Sequence, residues 1–155
     1  MPSKNYLTYT RLIFAFGLGS FLLMFLPILR FDTVTLQGYE LILGKTLIDI
    51  QPFGLDSVAS ASVPFSLTAL LAFTLPLMGG LLTRVSGHLV MVSLACFLVS
   101  LFLLWSLPDQ IRVAYTLFGN ERNLSVNWIR LAGLYGAIGT TMAGAVTSLV
   151  LAMKS

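Results

Sequence analysis

In this chain of 155 residues only 10% are charged and 57% are hydrophobic, and the mean hydropathy is +0.91. A water-soluble globule carries about 25% charged residues, so the composition excludes one and points to lipid as the solvent. The formal charge of +3 comes from nine Lys and Arg residues that nowhere cluster, which argues against nucleic acid and against a polybasic lipid-binding segment.

Four apolar stretches, at 11–30, 64–83, 88–107 and 129–152, each match the roughly 20 helical residues that a bilayer core requires. The first follows Lys4 and Arg11 as a signal peptide would, yet it is long and ends in LPILRF without a small-residue cleavage site, so it reads as a retained helix. Only RVSG separates the second stretch from the third, which forces an antiparallel helical hairpin. Both long loops, 31–63 and 108–128, then lie on one face. Lys4, Arg11, Arg84 and Lys154 mark the face that carries the termini, while Arg30, Lys45, Arg112, Arg122, Arg130 and all six acidic residues fall on the long-loop face. This distribution predicts cytoplasmic termini and outer loops.

In the first loop TVTL and YELIL alternate around Gln37 and Gly38, and TLIDI follows Lys45 and precedes Pro52, which predicts a hairpin or a three-stranded sheet. In the second loop Pro108 and Asp109 suit a helix start, and Ile111, Ala114, Tyr115 and Phe118 recur at helical spacing. They predict a short amphipathic helix. Trp105 and Trp128 flank this loop as membrane-interface anchors, with Tyr6 and Tyr9 in the same role on the opposite side. In the second span Pro76 predicts a kink, loosened further by Gly79 and Gly80.

The fourth span is poor in bulk. Ala132, Gly136, Thr140, Gly144 and Ser148 recur every fourth residue, and Gly133, Ala137, Thr141 and Ala145 form a second row beside them. Small residues four apart let another backbone approach closely where lipid supplies no hydrophobic drive for association, so these nine are the candidate helix-packing interface. Its partner is either the first helix, through Ala15 and Gly19, or a neighbouring chain.

Signs of chemistry are sparse. The cores of the four spans hold no Asp, Glu, Lys, Arg or His, which argues against pumps, proton-coupled exporters and channels with charged filters. His88, the lone histidine, could supply one axial ligand to a pigment or a shared haem, and otherwise reads as an interfacial residue beside Arg84. Cys96, the lone cysteine, precludes an internal disulfide and reads as a small hydrophobe. GxSxG and HExxH are absent, and Asp32, Glu40, Asp49, Asp56 and Glu121 read as solvated loop charge, so no catalytic residue, metal site or cofactor is expected. NLS at 123–125 fits a glycosylation sequon and faces outward in this topology.

Four spans, cytoplasmic termini, a larger β-prone first outer loop and a smaller second one resemble claudin-like and other tetraspan membrane proteins in topology. The first loop has neither cysteine nor tryptophan, so the claudin W-GLW-C-C pattern is missing and that family's junctional function does not carry over. The sequence thus predicts an all-α integral membrane protein, a single four-helix bundle over 1–155 with a small β-element in one outer loop and an amphipathic helix in the other. The function expected of it is that of a non-enzymatic accessory or scaffold subunit in a bacterial inner membrane, partnered by the bilayer and by a larger membrane complex or its own copies. The alternatives are a lipid, quinone or pigment held within the bundle, and a passive transporter or channel.

Overall fold

The computed structural model describes residues 4–51 and 58–154. In chain order these form α1 (Lys4–Leu22), β1 (Pro27–Phe31), β2 (Val34–Gln37), a short α2 (Gly38–Leu43), β3 (Lys45–Ile50), β4 (Ala59–Val63), α3 (Leu67–Val85), α4 (Val90–Gln110), β5 (Arg112–Leu117), β6 (Asn120–Ser125), β7 (Ile129–Arg130) and α5 (Ala132–Lys154). Four of the helices, α1, α3, α4 and α5, are long and apolar enough to cross a membrane. α1 packs on α3, α3 on α4, α4 on α5 and α5 back on α1, the ring of an up-down-up-down bundle.

The expectation of an all-α chain is corrected. Two antiparallel sheets cap the bundle, a three-stranded one in the order β2-β1-β7 and a four-stranded one in the order β3-β4-β5-β6. Each joins the two long connections between helices: β1 pairs with β7, and β4 pairs with β5 from Ala59↔Leu117 to Ser62↔Ala114. A lone hairpin is marginal in water, and this cross-loop pairing supplies the further strands that stability requires.

Three local expectations change with it. The predicted amphipathic helix of the second loop is a hairpin, because Val113, Tyr115 and Leu117 alternate as a strand and Phe118 and Gly119 turn the chain with positive φ of 48° and 81°. YELIL, read as a strand, belongs to α2, where the Gln37 N–H donates to Glu40 Oε2 at 2.9 Å across the helix start. The first helix stops well short of residue 30: Pro27 holds Leu26 in extended backbone, and the chain passes through a 3-10 turn at Leu23–Phe25 into β1.

Two apolar clusters fill the interior. The larger links the sheet-bearing half of the bundle to the sheets through Ile28, Leu36, Leu41, Phe73, Leu107 and Leu134, and the smaller closes the end that carries the termini around Ile13, Val90, Phe97 and Leu151. Pro76 lies buried within α3, which continues through it. Lacking an N–H, Pro76 leaves the Ala72 carbonyl without its helical donor, and Ser100 Oγ of α4 donates to that oxygen at 2.6 Å. Gly17 of α1 is seated against the Pro76 carbonyl, where a Cβ would collide with backbone.

Candidate functional site

The nine small residues of α5 fall into two groups. Gly133, Ala137, Thr141, Gly144, Ala145 and Ser148 are buried, Gly136 and Thr140 are half-buried, and Ala132 is exposed. The buried ones meet the chain's own elements. A Cβ on Gly133 would stand 2.6 Å from the Pro27 carbonyl of β1, one on Gly144 would enter the Phe97 ring of α4, and Thr141 shares a 2.8 Å hydrogen bond with Ser20 of α1. Gly136 faces Leu23, and Thr140 donates back to the Gly136 carbonyl at 3.0 Å. In α1, Gly19 looks toward Thr140 whereas Ala15 is exposed. This face of α5 is therefore filled by α1, α4 and β1 of the same chain.

The four-stranded sheet differs. Residues directly opposite one another share a face, so the register puts Ile48, Ala61, Tyr115 and Arg122 in one row and Ile50, Ala59, Leu117 and Asn120 in the next. Val63, Val113 and Leu124 extend the same side. The reverse side carries Asp49, Ser60, Thr116 and Glu121, with Thr46, Ser62 and Asn123 beyond. The first face is mainly apolar, with Lys45, Arg122 and Asn120 along its edge strands, and the other is mainly polar, with Ala114 the exception. Val63 and Val113, nearest the bundle, are buried in the main core, but Ile48, Ile50, Leu117 and Leu124 are exposed. Tyr115, Leu117, Asn120 and Arg122 border a hollow of ≈ 290 Å³ on this side, together with Phe118 at the hairpin tip.

Phe118 is 76% exposed and sits at φ 48°. A bulky residue in the left-handed region is an outlier that costs about 1–3 kcal/mol, and such positions gather where function holds them. The sheet's edges, by contrast, are blunted. β6 (NERNLS) is exposed along its whole length and carries Glu121 and Arg122, while β3 carries Lys45, Asp49 and a register shift between Thr46 and Ile48.

The remaining candidates do not converge. His88 is exposed in the 3-10 turn Gly87–Leu89, Cys96 is half-buried in α4 opposite Gly79, and the described residues contain no group of three or more His, Cys, Asp or Glu able to hold a metal. Asp32 occupies the β1–β2 turn with φ 51°, and Asp49 and Glu121 lie on the polar side of the sheet. Asp56 is outside the described residues. Burial opposes the charge of Glu40, but the Lys45 ammonium at 2.7 Å and the Gln37 N–H outweigh it and hold the carboxyl below its ordinary range. The two tryptophans separate. Trp105 is exposed under the Arg130 guanidinium, whereas Trp128 is buried, edge-on to Phe31, and donates to the Ile111 carbonyl at 3.1 Å. Sequence reading placed both at the membrane interface; only Trp105 reaches the surface of the chain.

Comparison with family models, with curated proteins and with solved structures finds no match for this chain. Any functional reading therefore rests on the geometry above.

Proposed function

We propose that this chain is a non-enzymatic accessory subunit of a larger membrane-protein complex, and that it docks through the apolar side of its outer four-stranded sheet. In this reading it sits in a bacterial inner membrane with both termini cytoplasmic. That orientation is part of the proposal: Arg11, Arg84 and Lys154 lie at the end of the termini in short segments, while Arg30, Lys45, Arg112, Arg122 and Arg130 lie at the other end together with Asp32, Glu40, Asp49, Asp109 and Glu121.

One observation carries the proposal. An alternating sheet keeps its apolar side exposed at Ile48, Ile50, Leu117 and Leu124 and holds an exposed aromatic in a strained turn beside them. Contiguous apolar surface of this kind marks a contact site on a folded protein. The blunted edges favour a face contact over strand addition. Asn suits the first position of a two-residue turn followed by Gly, so Phe118→Asn relaxes the backbone while removing the aromatic.

The test is the native mass of the particle extracted in mild detergent from its own membrane. The wild-type chain is expected in a complex with other membrane subunits. Phe118→Asn should be released from it while folding normally, and Thr116→Ala, on the polar side, should stay bound. A wild-type chain that is monomeric on extraction, and not cross-linkable to a neighbour in the intact membrane, would contradict the reading. A particle made only of this chain would replace the partner by a second copy.

A further inference from the structure

At the inner end of the bundle the fold brings together two arginines that stand alone in the sequence. Arg11, from α1, and Arg84, from the last turn of α3, line a cleft of ≈ 460 Å³ with Tyr6, Thr10, Thr83 and Ser86. No carboxylate of the described residues lines it: Asp32, Glu40, Asp49, Asp109 and Glu121 all belong to the segments at the other end. Among the described residues neither arginine pairs with an acid: the single ion pair there joins Lys45 to Glu40. Thr10 and Thr83 donate their hydroxyls to the carbonyls of Leu7 and Gly80, and Leu7 and Val85 complete a mixed wall that offers no competing negative charge among the described residues.

Arg84 lies over the Phe14 ring, 4.2 Å from its centroid. Stacking of this kind fixes a guanidinium and leaves its N–H edge to donate, the geometry that suits a phosphate oxygen. Helical spacing places Phe14 and Leu18 on the Arg11 side of α1, and Leu77 and Leu81 on the Arg84 side of α3, one and two turns deeper into the span. Leu18 and Leu81 are exposed there, as lipid-facing residues are. A cationic cleft at the level of the headgroups thus continues into apolar surface at the level of the acyl chains.

We infer that this cleft binds an anionic phospholipid, its phosphodiester held between Arg11 and Arg84 and its acyl chains lying along Phe14, Leu18, Leu77 and Leu81. The site is independent of the outer sheet and of whatever docks there. Scattered single cations hide such a site from a search for basic runs, because the fold rather than the sequence puts them side by side.

The experiment titrates the full-length protein in detergent with phosphatidylglycerol and with phosphatidylcholine of equal chain length, and counts bound lipids by native mass spectrometry. Wild-type protein should prefer phosphatidylglycerol by at least about tenfold, a preference that weakens with salt, since each basic residue near a headgroup contributes about a fivefold factor. Arg11→Gln and Arg84→Gln should each lose about fivefold, and the double variant should bind both lipids alike. Arg112→Gln, at the outer end, should behave as wild type. Equal affinity of the wild-type protein for the two lipids overturns the inference, whatever the variants do. Should the glutamine variants fail to fold, Arg11→Lys with Arg84→Lys keeps the charge and should keep the preference for phosphatidylglycerol; loss of that preference in a folded lysine variant counts against a charge-based site. Excess glycerol 3-phosphate should leave the lipid bound, and displacement at concentrations matching the lipid would mean a site for soluble phosphate and overturn the lipid assignment.

Discussion

The small-residue face of α5 and the apolar side of the four-stranded sheet both look, in isolation, like surfaces made for contact, yet the structure treats them oppositely. The helix face is filled: Gly133 takes the β1 backbone, Gly144 the Phe97 ring and Thr141 the Ser20 hydroxyl. The sheet side is filled where Val63, Val113 and Ala61 reach the core, and beyond them Ile48, Ile50, Leu117 and Phe118 stay exposed. A pattern of residue sizes shows that close approach is needed. Which neighbour supplies it is decided by the fold. In this chain the helix satisfies itself, and the sheet is left to satisfy.

The contrast breaks most severely inside the bundle. Gly133→Ala sets a Cβ 2.6 Å from a backbone oxygen that cannot step aside, and it should destabilise the protein by about 3 kcal/mol, read as a lower midpoint of thermal unfolding in detergent. A next step down is Ser100→Ala, which leaves the Ala72 carbonyl buried without a donor and should cost about 2 kcal/mol. Pro76→Ala restores the helical N–H, so the double variant Pro76→Ala with Ser100→Ala should lose less than Ser100→Ala alone; a strictly additive pair would disprove the exchange of donors.

At the sheet end the effects are smaller. Glu40 is held below its ordinary pKa of 4.5, so the stability it adds is complete above that value and is lost as pH falls through its lowered folded value. Wild type should lose stability between neutral pH and the acid end of that window, and Glu40→Gln should lack this part of the pH dependence. Smallest is Gly139→Ala on the outward side of α5, where a Cβ meets nothing within 4 Å; it should gain about 0.5–1 kcal/mol from reduced backbone freedom. The opposite signs expected at positions 133 and 139, six residues apart on one helix, set the filled side against the open one.

Much of this architecture is legible in the sequence. Length and apolarity mark the four spans, and three of them begin and end within a few residues of the observed helices α3, α4 and α5. The first misses because LPILRF is apolar enough to extend a span, while Pro27 forces the extended backbone that makes β1. The β5–β6 hairpin is masked by coincidence: Ile111, Ala114, Tyr115 and Phe118 fit a helix while Val113, Tyr115 and Leu117 fit a strand. Gly119, a turn signal just before Asn120 opens β6, is what breaks the tie. Gln37 and Glu40 likewise offer a helix start that the alternation in YELIL obscures.

The candidate site is less legible. Its apolar side is assembled from four strands belonging to two loops, and Ile48, Ala61 and Tyr115 become neighbours only through register. Trp128 shows the same limit, since its position beside a span suits an interface anchor until the pairing of β1 with β7 draws that segment into the core. Periodicity within one segment cannot report pairing between segments.

The most direct measurement compares two adjacent positions of β5 in a Cys96→Ala background, labelling Leu117→Cys and Thr116→Cys with a membrane-impermeant maleimide in intact membranes opened to both faces. In the isolated chain Leu117 is the more exposed of the two. If the apolar side is docked, the order inverts in the native membrane: Thr116→Cys labels readily, Leu117→Cys is protected, and purification removes that protection. Faster labelling at Leu117→Cys than at Thr116→Cys in the native membrane, as in the purified protein, would contradict the claim that a partner covers this side of the sheet.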